Sequence, residues 1–561
     1  MTDTQHKRII KYLEQQGYIC TPIGNKAGDV FVDVIINGKE IRLKCEFPKS
    51  FPYSFPRIYI LKEFYKDFEP LPHISPNGYI CTFDNNVAIP NHKEPEKLVC
   101  ESLGKAVKVL KDGVNDTNRE DFIEEFTSYW YNELKYNITV FALFTPDNNS
   151  QLLYCYNEDY KVFYVNDDVD QLKEWLKYSR GICINDVEIE RCLYLPLRKT
   201  WYPPYPKTDK EIYLKVKEDT TENFNAYYKY LTDRTKMSLI IFSQEIRGEK
   251  YLAGWFHQPA QTPQGFRKGK IVPELAYLAQ NKNREVIKVD VTQLDRRRLF
   301  NRGGDGKIIS NYKVSVTGCG SIGSYLIQVL AELSLDNFVL IDKDILNSEN
   351  IARHMCGASK IGKFKTDAIK EQLISHYPYI KCESISKDVF EVLDESIEIF
   401  NNCDVNFVVV GHKPTESKFI ELVNRGIITK PIVIIWVEPY LLGAHAIIVQ
   451  NQQDVESIIY DEEYTYKYSV LSDGKKYTKK EAGCQSTYIP YSAFEIKQFL
   501  YRFMDYFYNN HIIRKSDGNY LFSWGGNLKW ARAKNFEISD FWLSKDNRTI
   551  ELRRLDINEK V

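Results

Sequence analysis

The chain has 561 residues, with 75 Lys and Arg against 76 Asp and Glu for a formal net charge of −1. That length supplies several domains, and the charge balance gives no broad basic field for nucleic acid. No apolar run of about 18 residues occurs and no signal-peptide core opens the chain, so it reads as cytoplasmic, without a membrane anchor. The 12 cysteines include no CxxC pair, which argues against a disulfide scaffold and a cysteine-rich zinc site.

The first elements follow quickly. Ile9, Ile10 and Leu13 give helical spacing over Thr4–Gln16, with Gly17 as the stop. Val30–Ile36 and Ile41–Cys45 read as strands joined through Asn37-Gly38, a hairpin signal. Pro48, Pro52 and Pro56 hold an extended path before strand Ile58–Leu61. His73 then precedes Gly78-Tyr79-Ile80-Cys81, and Glu96–Lys111 spaces Leu98, Val99, Leu103, Ala106, Val107 and Leu110 as an amphipathic helix. A further helix is expected over Asp121–Trp130. This order, with FPYSFP, His73 and the G-x-I-C step, resembles the ubiquitin-conjugating family in its divergent bacterial form. The resemblance covers about the first 115 residues and implies an α+β domain over 1–135. It also implies that Cys81 accepts an acyl group as a thioester. The eukaryotic family has His-Pro-Asn, whose Asn supports the oxyanion. Here Ile74 and Ser75 follow His73 and Asn77 lies nearer the cysteine, so the oxyanion group stays open. His73 reads as structural.

From 136 to 290 the pattern shifts to short β segments: ITVFALF, QLLYCY, KVFYV, EIYLKV and SLIIFS. No catalytic constellation stands out. Cys155, Cys183 and Cys192 sit among apolar residues and are expected in a core. This is a β-rich connecting domain.

Residues 291–561 carry the nucleotide signal. Asp295 and the arginines 296–298, with Arg302, precede an apolar strand, Val314–Val316. Gly318, Gly320 and Gly323 follow in GxGxxG spacing, then a helix and a second strand, Phe338–Ile341, ending in Asp342. Such a turn lets backbone amides at a helix start approach phosphate oxygens. A dehydrogenase needs one acid after the second strand. This chain has Asp342, Asp344, Asn350, Arg353 and Lys365, and two carboxylates with two cations suit a ribose, a magnesium ion and a triphosphate tail. Helix Thr366–Tyr377, strand Phe407–Val410 and strand Pro431–Val437 continue the doubly wound pattern. His445, inside an apolar run, reads as a satisfied core histidine. The polar stretch Asp461–Ala482 looks like a mobile connection. It leads to Gly483-Cys484 and then to the helix Phe494–Phe507, capped by Ser492 and Glu495.

GxGxxG, then DxD, N-x-x-R and GKxK in order resemble the ubiquitin-activating family, which includes bacterial ThiF and MoeB. The resemblance implies a Rossmann-like adenylation domain using ATP and Mg²⁺. Gly318, Gly320 and Gly323 would form the phosphate turn. Asp342 would hold the ribose, Asn350, Arg353 and Lys365 the phosphates, and Asp344 the metal. Arg353 and Cys484 would be catalytic, Cys484 as the acyl-accepting thiol of the crossover segment. One arginine of 296–302 would be a phosphate finger. Gly411 and His412 stand where the family keeps a magnesium-binding Asp, leaving Asp344 or Glu416 as the replacement.

A conjugating-like domain ahead of an activating domain, in one α/β multidomain chain, resembles the bacterial fusion enzymes of CBASS antiphage systems. That resemblance implies a relay: adenylation of a protein C-terminal carboxylate, thioester on Cys484, transfer to Cys81, capture by an amine. It names the substrate as a cGAS/DncV-like nucleotidyltransferase, and a homodimer is usual for the fold. The rivals are a sulfur-carrier activator of ThiF/MoeB type and a nucleotide-regulated binding protein without turnover.

Overall fold

The computed structural model describes the chain except residues 25–27, 67–68, 85–86, 184–187, 234–236, 259–264, 266, 268–272, 282, 481–486 and 556–561. Two compact units are present. One comprises Met1–Ala142, Pro146–Asp167 and Ile189–Gln293, the other Leu143–Thr145, Asp168–Glu188 and Leu294–Val561.

The first unit begins with helix Asp3–Gln15, started by a reciprocal cap between Thr2 and Gln5. Its inward face, Ile9 and Leu13, meets the helix Pro95–Val114 over a five-stranded sheet. The strands run in sequence order: β1 Ile19–Pro22, β2 Val30–Ile36, β3 Lys39–Glu46, β4 Arg57–Ile60 and β5 Tyr79–Ile80, all antiparallel. Asn37 and Gly38, both at positive φ, make the predicted β2–β3 turn.

Seven strands then close a barrel: β6 Thr139–Ala142, β7 Gln151–Asn157, β8 Val162–Asn166, β9 Ile189–Pro196, β10 Ser238–Ile246, β11 Glu249–His257 and β12 Ile287–Gln293, in the order β10-β11-β12-β6-β8-β7-β9. Trp130, Trp201, Tyr205, Phe242 and Trp255 share one aromatic core beside it. The β-rich expectation holds, but the EIYLKV segment is not a strand. It lies in helix Asp209–Lys217, because Thr208 and Glu211 form a capping box and Ile212, Tyr213 and Val216 bury on one helical face. The expected helix over Asp121–Trp130 is two pieces, Asp121–Glu124 and Phe126–Asn132, broken at Glu125 with φ −101° and ψ 18°. Cys155 and Cys192 are buried as expected, whereas Cys183 is exposed. The chain leaves helix Val169–Arg180 through Gly181 at φ +69°, and Cys183 follows outside any strand.

The second unit is built on an eight-stranded sheet. Its strands are β13 Lys313–Thr317, β14 Asn337–Ile341, β15 Lys381–Ile385, β16 Val405–Val408, β17 Ile432–Val437, β18 Gly443–Val449, β21 Tyr520–Gly525 and β22 Thr549–Arg554. They run β15-β14-β13-β16-β17-β18-β21-β22, the first five parallel and the rest antiparallel. A short ribbon pairs β19 Lys479–Lys480 with β20 Thr487–Tyr488. The chain winds from β13 to one side through β14 and to the other through β16, which opens a crevice at their carboxyl ends.

The polar stretch expected to be mobile is anchored at its middle. Val470 and Leu471 are buried against Leu442, Leu528 and Trp542, and their backbone N–H groups donate to the two oxygens of Glu438, each at 2.8 Å. Polar composition hid this, because the anchoring acceptor comes from another segment. Glu438 also meets buried His445 at 2.8 Å, and a Cβ on Gly443 would lie 2.2 Å from its Oε1, so a side chain there would push the carboxylate off its partners. His445 also contacts Ser523 at 3.0 Å and is a satisfied core residue. Among the described residues, no helix is long and apolar enough to cross a membrane.

Candidate functional site

At the end of β13 the chain must turn sharply against its neighbours. Gly318 sits at φ +92°, and a Cβ there would lie 2.5 Å from the Val409 carbonyl oxygen. A Cβ on Gly323 would come within 1.9 Å of the Gly318 oxygen. The two glycines therefore let the turn fold onto its own helix, Ser321–Glu332. Gly320 is the N-cap of that helix and has open space around it, leaving the first-turn amides free to face a ligand.

Asp342 follows β14 and locks this turn. Its carboxylate accepts the Cys319 N–H at 2.7 Å and the Asp344 N–H at 2.8 Å. Burial raises its pKa, against the pull of those amides and of Lys365. Lys365 is buried and donates to Asp344 at 2.8 Å. These groups line a cavity of about 430 Å³ with Gly318, Gly320 and His412. Asp388 and Phe390 also line it, and local sequence spacing gave no reason to single them out.

A second cleft, about 810 Å³, shares Gly320, Asp344, Val409 and Val410 with the first. Arg353 lines it, but its guanidinium donates to the Ile489 carbonyl at 2.9 Å and lies 4.6 Å from the Tyr491 ring centre. In this state the arginine holds the segment just downstream of β20. Asn350 is occupied locally, its side-chain oxygen accepting the Asn347 N–H at 3.0 Å.

Among the described residues no group of three or more His, Cys, Asp or Glu is arranged to hold a metal. A magnesium ion on a nucleotide needs less, since it takes one or two carboxylates and fills its shell with phosphate oxygens and water. Asp344 is more than half exposed and lines both cavities, so it fits that role. At the strand end where the family Asp is missing, Gly411 turns at φ +60° and His412 bonds Thr415 at 2.9 Å.

Of the arginines ahead of β13, Arg296 is buried. It pairs with Asp336 at 2.6 Å and donates to the carbonyls of Ile309 and Ser334, which makes it a structural tie. Arg302 is exposed, on the last turn of helix Arg296–Gly303.

Cys81 follows β5 and is exposed. Its backbone N–H donates to the His73 carbonyl at 2.8 Å. Gly78, at φ +84°, allows the turn ahead of it, since a Cβ there would meet the Ile60 carbonyl oxygen at 2.2 Å. The thiol pKa is raised, first by partial burial and then by Glu125 and Asp84, so the cysteine rests protonated. Asn77 accepts the Tyr79 N–H at 3.1 Å and stabilises the turn.

His73 is structural, as its sequence context suggested, through partners the sequence did not disclose. Its ring contacts Glu125 and Asp121, each at 2.9 Å, and its N–H meets the Tyr129 hydroxyl at 2.6 Å. Hydrogen bonding to Glu125 is the largest cause of a pKa raised to about 9. Two helix fragments some 50 residues downstream thus grip the loop that carries Cys81. Cys484 lies outside the described residues. The strands on either side of 481–486, β19 and β20, pair with each other.

Comparison with known proteins agrees with this architecture. The ThiF family matches residues 294–438, and prokaryotic E2 family B matches residues 24–139. Three proteins called ATP-dependent ubiquitin transferase-like protein Cap2 are similar over most of the chain. The one from Pseudomonas aeruginosa is 20% identical, over 79% of this chain and 80% of its own length. That from Escherichia coli is 23% identical, over 85% of each. The Vibrio cholerae protein is 23% identical, over 88% of this chain and 86% of its own. The chain is a fusion of a prokaryotic E2-like domain with a ThiF-type, ubiquitin-activating-like domain.

Proposed function

We propose that this enzyme activates a protein C-terminal carboxylate with ATP and passes it through two thiols to an amine. The observation that carries the reading is the pair of joined cavities at the end of β13. One is floored by the glycine turn, Asp342 and Lys365; the other opens beside it and is large enough for a peptide tail. An adenylating enzyme must bring two reactants together in that way. In this reading 1–135 conjugates, 136–290 connects and 291–561 activates.

A carboxylate oxygen of the tail attacks the α-phosphorus of ATP, and pyrophosphate leaves with the electron pair of the broken P–O bond. Asp342 holds the ribose hydroxyls, while Lys365 and the amides after Gly320 take negative charge on the phosphates. Arg353 exchanges its Ile489 carbonyl for phosphate, and Asn350 assists. Asp344 would hold Mg²⁺, which neutralises phosphate charge when bound. The Cys484 thiolate then attacks the acyl carbonyl and AMP leaves. Cys81 displaces Cys484 in the same manner, and an amine nitrogen displaces Cys81, losing a proton as the amide forms.

The resemblance supports a cGAS/DncV-like nucleotidyltransferase as the carboxylate donor, a role in antiphage defence, and a homodimer. The test is intact-mass analysis of the purified chain with ATP, Mg²⁺ and that nucleotidyltransferase. A thiol-labile adduct of the partner's mass, lost in Cys484→Ala, supports the reading. Nucleotide binding with neither AMP release nor adduct would leave only a nucleotide-regulated binding protein.

A further inference from the structure

One wall of the second cleft carries a carboxyl that the adenylation chemistry above does not use. Glu416 stands in the first turn of helix Lys413–Asn424, is 6% exposed, and lines this cleft. Its Oε1 has no hydrogen-bond partner among the described residues. Burial pushes the carboxyl up to about 7, although the His412 and Gly411 backbone and nearby Lys413 pull it down. The two cations that line the cleft among the described residues are occupied. Lys413 donates to the Tyr464 carbonyl and lies 3.7 Å from the Tyr460 ring centre, and Arg353 is held by Ile489.

A buried carboxyl oxygen without a partner is destabilising, because nothing replaces the water it has lost. A carboxyl makes a poor phosphate site, since its ionised form repels phosphate. The reactant left to satisfy it is the peptide whose terminus must lie in this cleft. The terminal carboxylate, also anionic, keeps away from Glu416 and toward the glycine turn. The residues just upstream of that terminus are the ones that meet Glu416. A site built to hydrogen-bond one group rejects analogues lacking it, because its own polar atom is then stranded.

We propose, resting on the adenylation reading above, that Glu416 is a specificity residue for the substrate tail. It selects tails that carry a hydrogen-bond-donating side chain, Lys, Arg, Asn or Gln, within a few residues of the terminal carboxylate. The aromatic rings of Trp436, Tyr488 and Tyr491 line the same cleft and would pack against the stem of such a side chain.

The experiment uses the full chain, a non-hydrolysable ATP analogue, Mg²⁺, and an array of random hexapeptides fixed by their N-termini with free C-termini. Wild type should enrich donor side chains in the last four positions by at least about tenfold. Glu416→Leu should lose that enrichment, Glu416→Gln should keep Asn and Gln but lose Lys and Arg, and Glu416→Lys should turn the preference toward Asp and Glu. Circular dichroism identifies any variant that fails to fold, and the isosteric Glu416→Gln carries the decision if the others do. No enrichment in wild type, or enrichment unchanged in the folded variants, overturns the proposal. So does a raised Mg²⁺ requirement for nucleotide binding in Glu416→Gln with the peptide ranking intact, which would make Glu416 a metal ligand. Selected peptides are then assayed free in solution for ATP–pyrophosphate exchange. Donor-rich peptides that bind through Glu416 without exchange would refute adenylation while leaving the tail subsite standing.

Discussion

Replacing His73 with Gln, or raising the pH, should loosen the Cys81 loop by the same route. The imidazolium gives one N–H to Glu125 and the other to Asp121, both at 2.9 Å, and its pKa rises from 6.5 to about 9. A folded-state pKa above the unfolded one means stability that is complete below about 6.5 and lost as pH climbs through 9. The full shift corresponds to roughly 3 kcal/mol. With the ring 27% exposed, solvent screening brings the expected figure to about 2 kcal/mol. That is about a thirtyfold change in local opening. The assay is hydrogen exchange by mass spectrometry on the full chain between pH 6 and 9, corrected for intrinsic exchange. Peptides spanning 71–83 and 121–132 should lose protection above pH 6.5, and His73→Gln should flatten that dependence and lower protection at pH 6. Equal pH dependence in wild type and variant would show that the ring does not hold the loop, and the reasoning would fail.

Other consequences follow from single contacts. Gly323→Ala forces a Cβ to 1.9 Å from the Gly318 oxygen; binding of a fluorescent ATP analogue should fall at least tenfold, and unchanged affinity would mean the turn can move. Asp342→Ala removes the acceptor for two turn amides and a buried carboxylate, so ATP–pyrophosphate exchange should vanish while Cys484→Ala retains it. Cys81→Ser should accumulate a reduction-resistant ester at position 81 only when Cys484 is present; loading of Cys81 in Cys484→Ala would dismantle the relay. Glu438→Gln weakens the acceptor for Val470, Leu471 and His445; we expect about 2–3 kcal/mol less protection of the 466–472 region in hydrogen exchange.

Much of the architecture was legible because it rests on local rules. The glycine spacing of β13–β14, the Asn37-Gly38 turn and the amphipathic helices each depend on residues a few positions apart, and local backbone sterics and periodicity fix them. The EIYLKV segment went the other way, since alternation and helical spacing are hard to separate over six residues and the deciding cap, Thr208 with Glu211, begins just outside it. The apolar run around His445 likewise marked it as a core residue without showing that Glu438 and Ser523 hold it.

What the sequence determined by itself was the order of parts: an α+β unit that resembles the conjugating family, a β-rich middle, and a glycine turn with its trailing charges. Residue type and spacing are sufficient for that, because they set backbone conformation and the chemistry on offer. What only the tertiary structure decided was who meets whom. Arg353 turns to Ile489, Arg296 is spent on Asp336, and His73 is held by Glu125 and Asp121. The same holds for Glu416, whose Oε1 has no hydrogen-bond partner among the described residues at the wall of a cleft. These pairings join residues far apart in the chain, and burial alters their energies through loss of water, which no local spacing records.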